Sequence, residues 1–133
     1  MKYVFIYGTL RAGEINDINL AAARNAIGQP RLVGRTAVAG HLFDFGTYPG
    51  MIADPKAAPV IGEVYEVDDA LVAVLDEIEQ VYPGVDGMFA AQKVRVEVAG
   101  EQLECLFYPV AHHAVKGHPQ IHGGDWVAHR LGR

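Results

Sequence analysis

The chain has 133 residues, half of them apolar and a fifth charged, with 15 glycines and a formal net charge of −5. That size suits one domain, residues 1–133, which can bury roughly two thirds of its unfolded surface without metal or disulfide staples. The charge is spread without a basic run, which argues against nucleic acid as a partner, and no apolar stretch approaches the ~20 residues that cross a bilayer, which argues against a membrane.

In chain order, Tyr3 to Tyr7 is a short run of aromatic and β-branched residues halted by Gly8. It reads as a first strand buried on both faces. A lone Lys2 before this run is too short a lead for a signal peptide, so a cytoplasmic protein is expected. Asn16 to Ala26 is rich in helix formers, with Asn16 or Asp17 available as a cap. Leu32 to Phe45 is β in character, Gly46 to Gly50 makes a turn, and Ala58 to Val67 alternates well enough in its second half to be another strand.

Asp68 to Gln80 is the clearest helix. An aspartate stands at its start, and Leu71, Val74, Leu75 and Ile78 follow the i, i+3, i+4, i+7 spacing of one apolar stripe. Phe89 to Val98 and Glu101 to Val110 are strand-like runs around Ala99-Gly100, a hairpin signal. The single cysteine, Cys105, lies in an alternating stretch and reads as a packed strand thiol that agrees with a reducing compartment. The tail carries Gly123-Gly-Asp-Trp126 before a basic end. Strands early, one strong helix midway and a late hairpin predict an α+β fold, a small mixed or barrel-like sheet with about two helices, rather than a doubly wound sheet.

Two features could carry chemistry. Where a strand stops at Gly8-Thr9-Leu10, the break is either a plain turn or a place where bare backbone amides meet a carboxylate or developing oxyanion. On the strong helix, Glu77 falls away from the apolar stripe, whereas Glu79, four residues after Leu75, stands on its edge. Its carboxylate either snorkels to water or, partly desolvated, has a raised pKa suited to a general base. Tyr48 before Pro49-Gly50 and Tyr108 before Pro109 are the tyrosines best placed to line a pocket. His112, His113, His118 and His122 lie close in sequence, but Gly117 and Pro119 interrupt any helix that would align them, and a solvated loop is expected rather than a metal site. Phosphate-loop and GxSxG motifs are absent.

Phe5-Ile-Tyr-Gly-Thr-Leu-Arg11, Thr47-Tyr-Pro-Gly50, Gly62-Glu-Val-Tyr65, Leu75-Asp-x-x-Glu79 and Gly124-Asp-Trp126 together resemble the gamma-glutamyl cyclotransferase-like superfamily, in particular its small bacterial members and the gamma-glutamylamine cyclotransferases. The resemblance implies a β-barrel-like α+β fold with a cavity. It assigns Tyr7, Gly8, Thr9 and Leu10 to the loop that binds the glutamyl part of a small γ-glutamyl substrate, and Glu79 to the catalytic base. The implied reaction closes the glutamyl α-amine onto its own γ-carbonyl, releasing 5-oxoproline and an amine, with no cofactor. Many relatives carry a Tyr-x-Arg pair after the glutamate, where this chain has Phe89 and Ala91, a departure that bears on leaving-group specificity. Two other classes stay open: a non-catalytic protein that binds a small carboxylate or amine in the same pocket, and a metal-dependent hydrolase built on the histidine-rich loop. The motifs name neither the leaving amine nor an oligomeric state.

Overall fold

A computed structural model of the chain describes residues 2–11, 14, 17–46, 48–80 and 92–132, and for residues 76–80 the backbone alone. Six strands form one mixed sheet: β1 (Lys2–Ile6), β2 (Arg31–Asp44), β3 (Pro49–Ala53), β4 (Pro59–Val67), β5 (Gln92–Val98) and β6 (Glu101–Phe107), in the order β3-β2-β4-β1-β6-β5. The helices among the described residues are α1 (Ile18–Arg24), α2 (Asp69–Gln80), α3 (Trp126–Leu131) and a single 3₁₀ turn, His112–Val115. None is long and apolar enough to cross a membrane.

Neighbouring strands run antiparallel except β1 and β6, which are parallel and meet at Val4 opposite Leu106. The sheet curls into a half-barrel. Its β5 end bends round to β2, where the Thr36 hydroxyl donates to the Glu97 carbonyl at 2.6 Å. Strand alternation then sorts the core into two clusters. Phe5 on β1 and Tyr7 just past its end share the barrel interior with Val64, Phe107 and Trp126, while Val4 and Ile6 pack outward beneath Ile18 and Ala22 of α1 and Leu71 and Leu75 of α2. Both faces of β1 are therefore covered, as its apolar run predicts.

Local signals explain the element ends. Asp17 caps α1 by accepting the Asn19 N–H at 2.8 Å. The β5–β6 hairpin turns on Ala99 and Gly100 with φ of 52° and 79°. Positive φ at both central residues is the turn geometry that matches the twist of paired strands. The sequence signals about two helices, and the structure adds a third, α3. At six residues it is too short to show an apolar period, and it depends on its cap, Asp125, which accepts the Ala128 N–H at 3.1 Å. The predicted strand at Phe89 to Val98 is seen from Gln92 onward, and residues 89–91 lie outside the described residues.

Candidate functional site

Past Ile6 the chain leaves the sheet and turns, with the Arg11 N–H donating to the Gly8 carbonyl at 3.0 Å. The Ile18 N–H reaches back to the Leu10 carbonyl at 2.9 Å, tying the turn to the start of α1. Gly8 is required here by close approach. A Cβ built on it would stand 2.7 Å from Cγ and 3.0 Å from Cδ of Pro49, the first residue of β3. The smallest residue thus lets the Tyr48-Pro49 corner lie directly against the turn.

That contact builds a cleft. Phe5 and Ile6 lead into it, Tyr7, Gly8, Thr9 and Leu10 form one wall, and Tyr48, Pro49 and Tyr108 line the rest. About 320 Å³ of space lies between the walls, part of it open to solvent. The buried Tyr7 hydroxyl donates to the Tyr108 carbonyl at 2.6 Å and accepts the Met51 N–H at 3.2 Å, so one phenol ties β1, β3 and the end of β6 together. Burial raises the pKa of the Tyr48 phenol above its usual value. Six of the residues singled out from sequence, Tyr7, Gly8, Thr9, Leu10, Tyr48 and Tyr108, are thereby brought to one place. Apolar and aromatic walls of this kind suit a small ligand.

Glu79 lies on the α2 backbone one turn beyond Leu75. Leu71 and Leu75 are fully buried in the cluster that also holds Leu10 and Tyr108, and position 79 continues the register of Leu75. The Glu79 side chain lies outside the described residues, as do Phe89 and Ala91.

Arg11 closes the quoted motif, yet sequence reasoning gave it no task. Its residue is 1% exposed, with Nε 2.9 Å from Glu63 Oε2 and Nη1 2.8 Å from Asp125 Oδ1. The Tyr65 hydroxyl donates to the other Glu63 oxygen at 3.3 Å. Burial opposes the Arg11 charge, but hydrogen bonds to the two carboxylates outweigh it and leave the pKa above the usual arginine value. Burial tends to raise the Asp125 pKa, and the Ala128 N–H and Arg11 more than reverse that. Burial first, and then the Glu63 charge, push the Tyr65 phenol up to about 12. One signal could have found the cluster: its members come from three of the quoted motif stretches, and each brings a charged residue.

The remaining candidates separate. His118 stacks on Phe45 with ring centroids 4.1 Å apart, His129 lies 2.8 Å from Asp44, and His112, His113 and His122 are exposed. Among the described residues no three His, Cys, Asp or Glu side chains group as a metal site requires. Cys105 is fully buried between the sheet strands, and burial pushes its thiol up to about 11, which makes it a poor nucleophile.

Comparison with known proteins agrees with this architecture. The family described as "Gamma-glutamyl cyclotransferase, AIG2-like" matches residues 4–128. A gamma-glutamylaminecyclotransferase of Bos taurus is 31% identical over 121 residues, covering 81% of this chain and 65% of the bovine protein. A gamma-L-glutamyl-butirosin B gamma-glutamyl cyclotransferase of Niallia circulans is 36% identical over 86 residues, covering 63% of this chain and 50% of that protein. The chain thus spans about two thirds of the first of these relatives and half of the second. The crystal structure of an AIG2-like protein of Mus musculus superposes with a TM-score of 0.69 at 25% identity, covering 92% of this chain and 86% of the mouse chain.

Proposed function

The chain belongs to the gamma-glutamyl cyclotransferase, AIG2-like family, and from that premise we propose that it converts a γ-glutamyl amine or amide to 5-oxoproline and a free amine. The observation that carries the reading is the cleft where the Tyr7–Leu10 turn faces Tyr48 and Tyr108, beside the buried stripe of the helix that bears Glu79.

In this mechanism the turn holds the glutamyl half through main-chain N–H groups, and the two tyrosines close the opposite side. The substrate is flexible, so holding it curled with its α-nitrogen against its γ-carbonyl supplies much of the rate. The α-nitrogen begins as an ammonium. Glu79 takes a proton from it, the amine attacks the γ-carbon, and the negative charge that develops on the carbonyl oxygen is met by amides of the turn. As the lactam forms, the bond to the leaving nitrogen breaks. Two protons in all leave the α-nitrogen and two reach the departing amine, so a single carboxylate cycling between base and acid balances the reaction without a cofactor.

The test is to incubate the protein with a panel of γ-glutamyl amines, γ-glutamyl dipeptides and a γ-glutamylated carrier, and to measure 5-oxoproline. At least one substrate is expected to turn over, and Glu79→Gln is expected to lower kcat by roughly 10²- to 10⁴-fold, the usual worth of a positioned base. Undiminished activity in Glu79→Gln would sink the mechanism. Ligands that raise the melting temperature with no turnover would instead support the binding-protein reading.

A further inference from the structure

Arg11 begins where the cleft-lining turn ends, and its main-chain N–H closes that turn on the Gly8 carbonyl. Its side chain does not face the cleft. With 2% of its side-chain surface exposed, it runs inward, where Nε meets Glu63 and Nη1 meets Asp125. Two of its donors are therefore held by protein carboxylates, and a buried guanidinium so engaged is poorly placed to receive a substrate anion.

Both carboxylates lead back to β4. Glu63 is a residue of β4 and lies opposite Ile6 in the ladder with β1, beside the point where the chain leaves the sheet. Asp125 caps α3 directly after Gly124, and the Gly124 carbonyl accepts the Ile61 N–H of β4 at 2.7 Å. Gly124 has φ of +69°, and a Cβ there would run into the Pro59 carbonyl, so the tail is seated tightly on the strand. The turn is thus referenced to one central strand by two routes, directly through Glu63 and through the α3 cap. Tyr65, also on β4, adds its hydroxyl to Glu63 and helps fix that carboxylate.

We propose that Arg11 is a positioning residue for the cleft: the buried Arg11–Glu63–Asp125 clamp sets where the Gly8–Leu10 backbone stands, and so how the glutamyl half is presented for ring closure. The kinetic half of this claim rests on the cyclotransferase reading above. The geometric half does not.

Removing Arg11 alone would strand two carboxylates, one of them buried, and could unfold the protein. The informative variant is therefore Arg11→Met with Glu63→Gln, which removes one positive and one negative charge together. It is expected to keep a cooperative melt near that of the wild type, yet to lose about 10- to 100-fold in kcat with KM changed less than about threefold, because displacement of a positioning wall disturbs the reactive geometry more than initial binding. Arg11→Lys, which keeps the charge but cannot fork to both carboxylates, should fold and recover part of kcat. If the double variant does not fold, Arg11→Lys alone gives the reading. In ¹⁵N–¹H spectra the Gly8 and Leu10 amide resonances should move, while those of the Ala99-Gly100 hairpin stay in place. A folded variant with wild-type kcat and unmoved Gly8 and Leu10 resonances would reduce Arg11 to a plain stabilising ion pair and overturn the proposal. If the wild type turns over no substrate in the panel, the cyclotransferase reading fails, and the amide resonances alone decide the clamp.

Discussion

Gly8 illustrates how one residue can be singled out correctly for an incomplete reason. In the sequence a strand-ending glycine suggests bare backbone offered to a ligand; in the structure its immediate task is to admit the Pro49 ring, with Cγ 2.7 Å from where a Cβ would sit. Proline is rigid and cannot rotate away, so in Gly8→Ala either the turn or the start of β3 must move. A loss of about 1–3 kcal/mol in stability is expected, the range for overpacking a tight contact, and chemical denaturation measures it. Unchanged stability would show that the contact is easily relieved. Tyr48 and Tyr108 were legible because each precedes a proline, Tyr48 in the turn before Pro49-Gly50 and Tyr108 at the end of a strand-like run, where an aromatic with a polar tip can line a pocket. The task of Arg11 was legible only as a charge shared among three quoted stretches, since its partners lie 52 and 114 residues away and the fold is what pairs them.

At the scale of elements, β4 is the hub. It pairs with β1 on one side and β2 on the other, receives the tail through Ile61, and carries Glu63 and Tyr65. Burial there has a consequence at alkaline pH. The Tyr65 phenol moves from an ordinary value of 10 to about 12, so the folded chain keeps a proton that the unfolded chain gives up. The stability this contributes is fully present below pH 10 and is lost as pH rises from 10 to 12, by about 2 kcal/mol over that interval. Tyr65→Phe should flatten that part of the pH–stability curve, and a curve with the wild-type slope would contradict the assignment. Cys105, raised from 9 to about 11, adds its own loss at slightly lower pH. Among the elements themselves, α2 was readable from its stripe and the β5–β6 hairpin from Ala99-Gly100, because both signals are local. The short strand β3 was hidden behind the Gly46–Gly50 turn signal, and α3 was hidden by its length; both are held by contacts from elsewhere in the chain, Val110 with Met51 and Asp125 with Arg11.

For the whole molecule, the α+β, barrel-like reading follows from element order, and the curl of the sheet explains why Tyr7 to Leu10, Tyr48 and Tyr108 meet at one cleft while Arg11, Glu63 and Asp125 meet in one buried cluster. Closing β5 toward β2 and folding α1 and α2 over the outside of β1 leave the end of β1 as the place where turn, β3 corner and β6 exit meet. In the proposed mechanism the backbone turn at Gly8–Leu10 and the carboxylate of Glu79 serve one cleft. A crystal structure of the protein with 5-oxoproline bound would show whether they do. The product is expected between the turn and Tyr48, with an oxygen on the Gly8–Leu10 amides and the lactam nitrogen about 3 Å from the Glu79 carboxylate. Product bound elsewhere, or Glu79 turned away from that cleft, would contradict the mechanism.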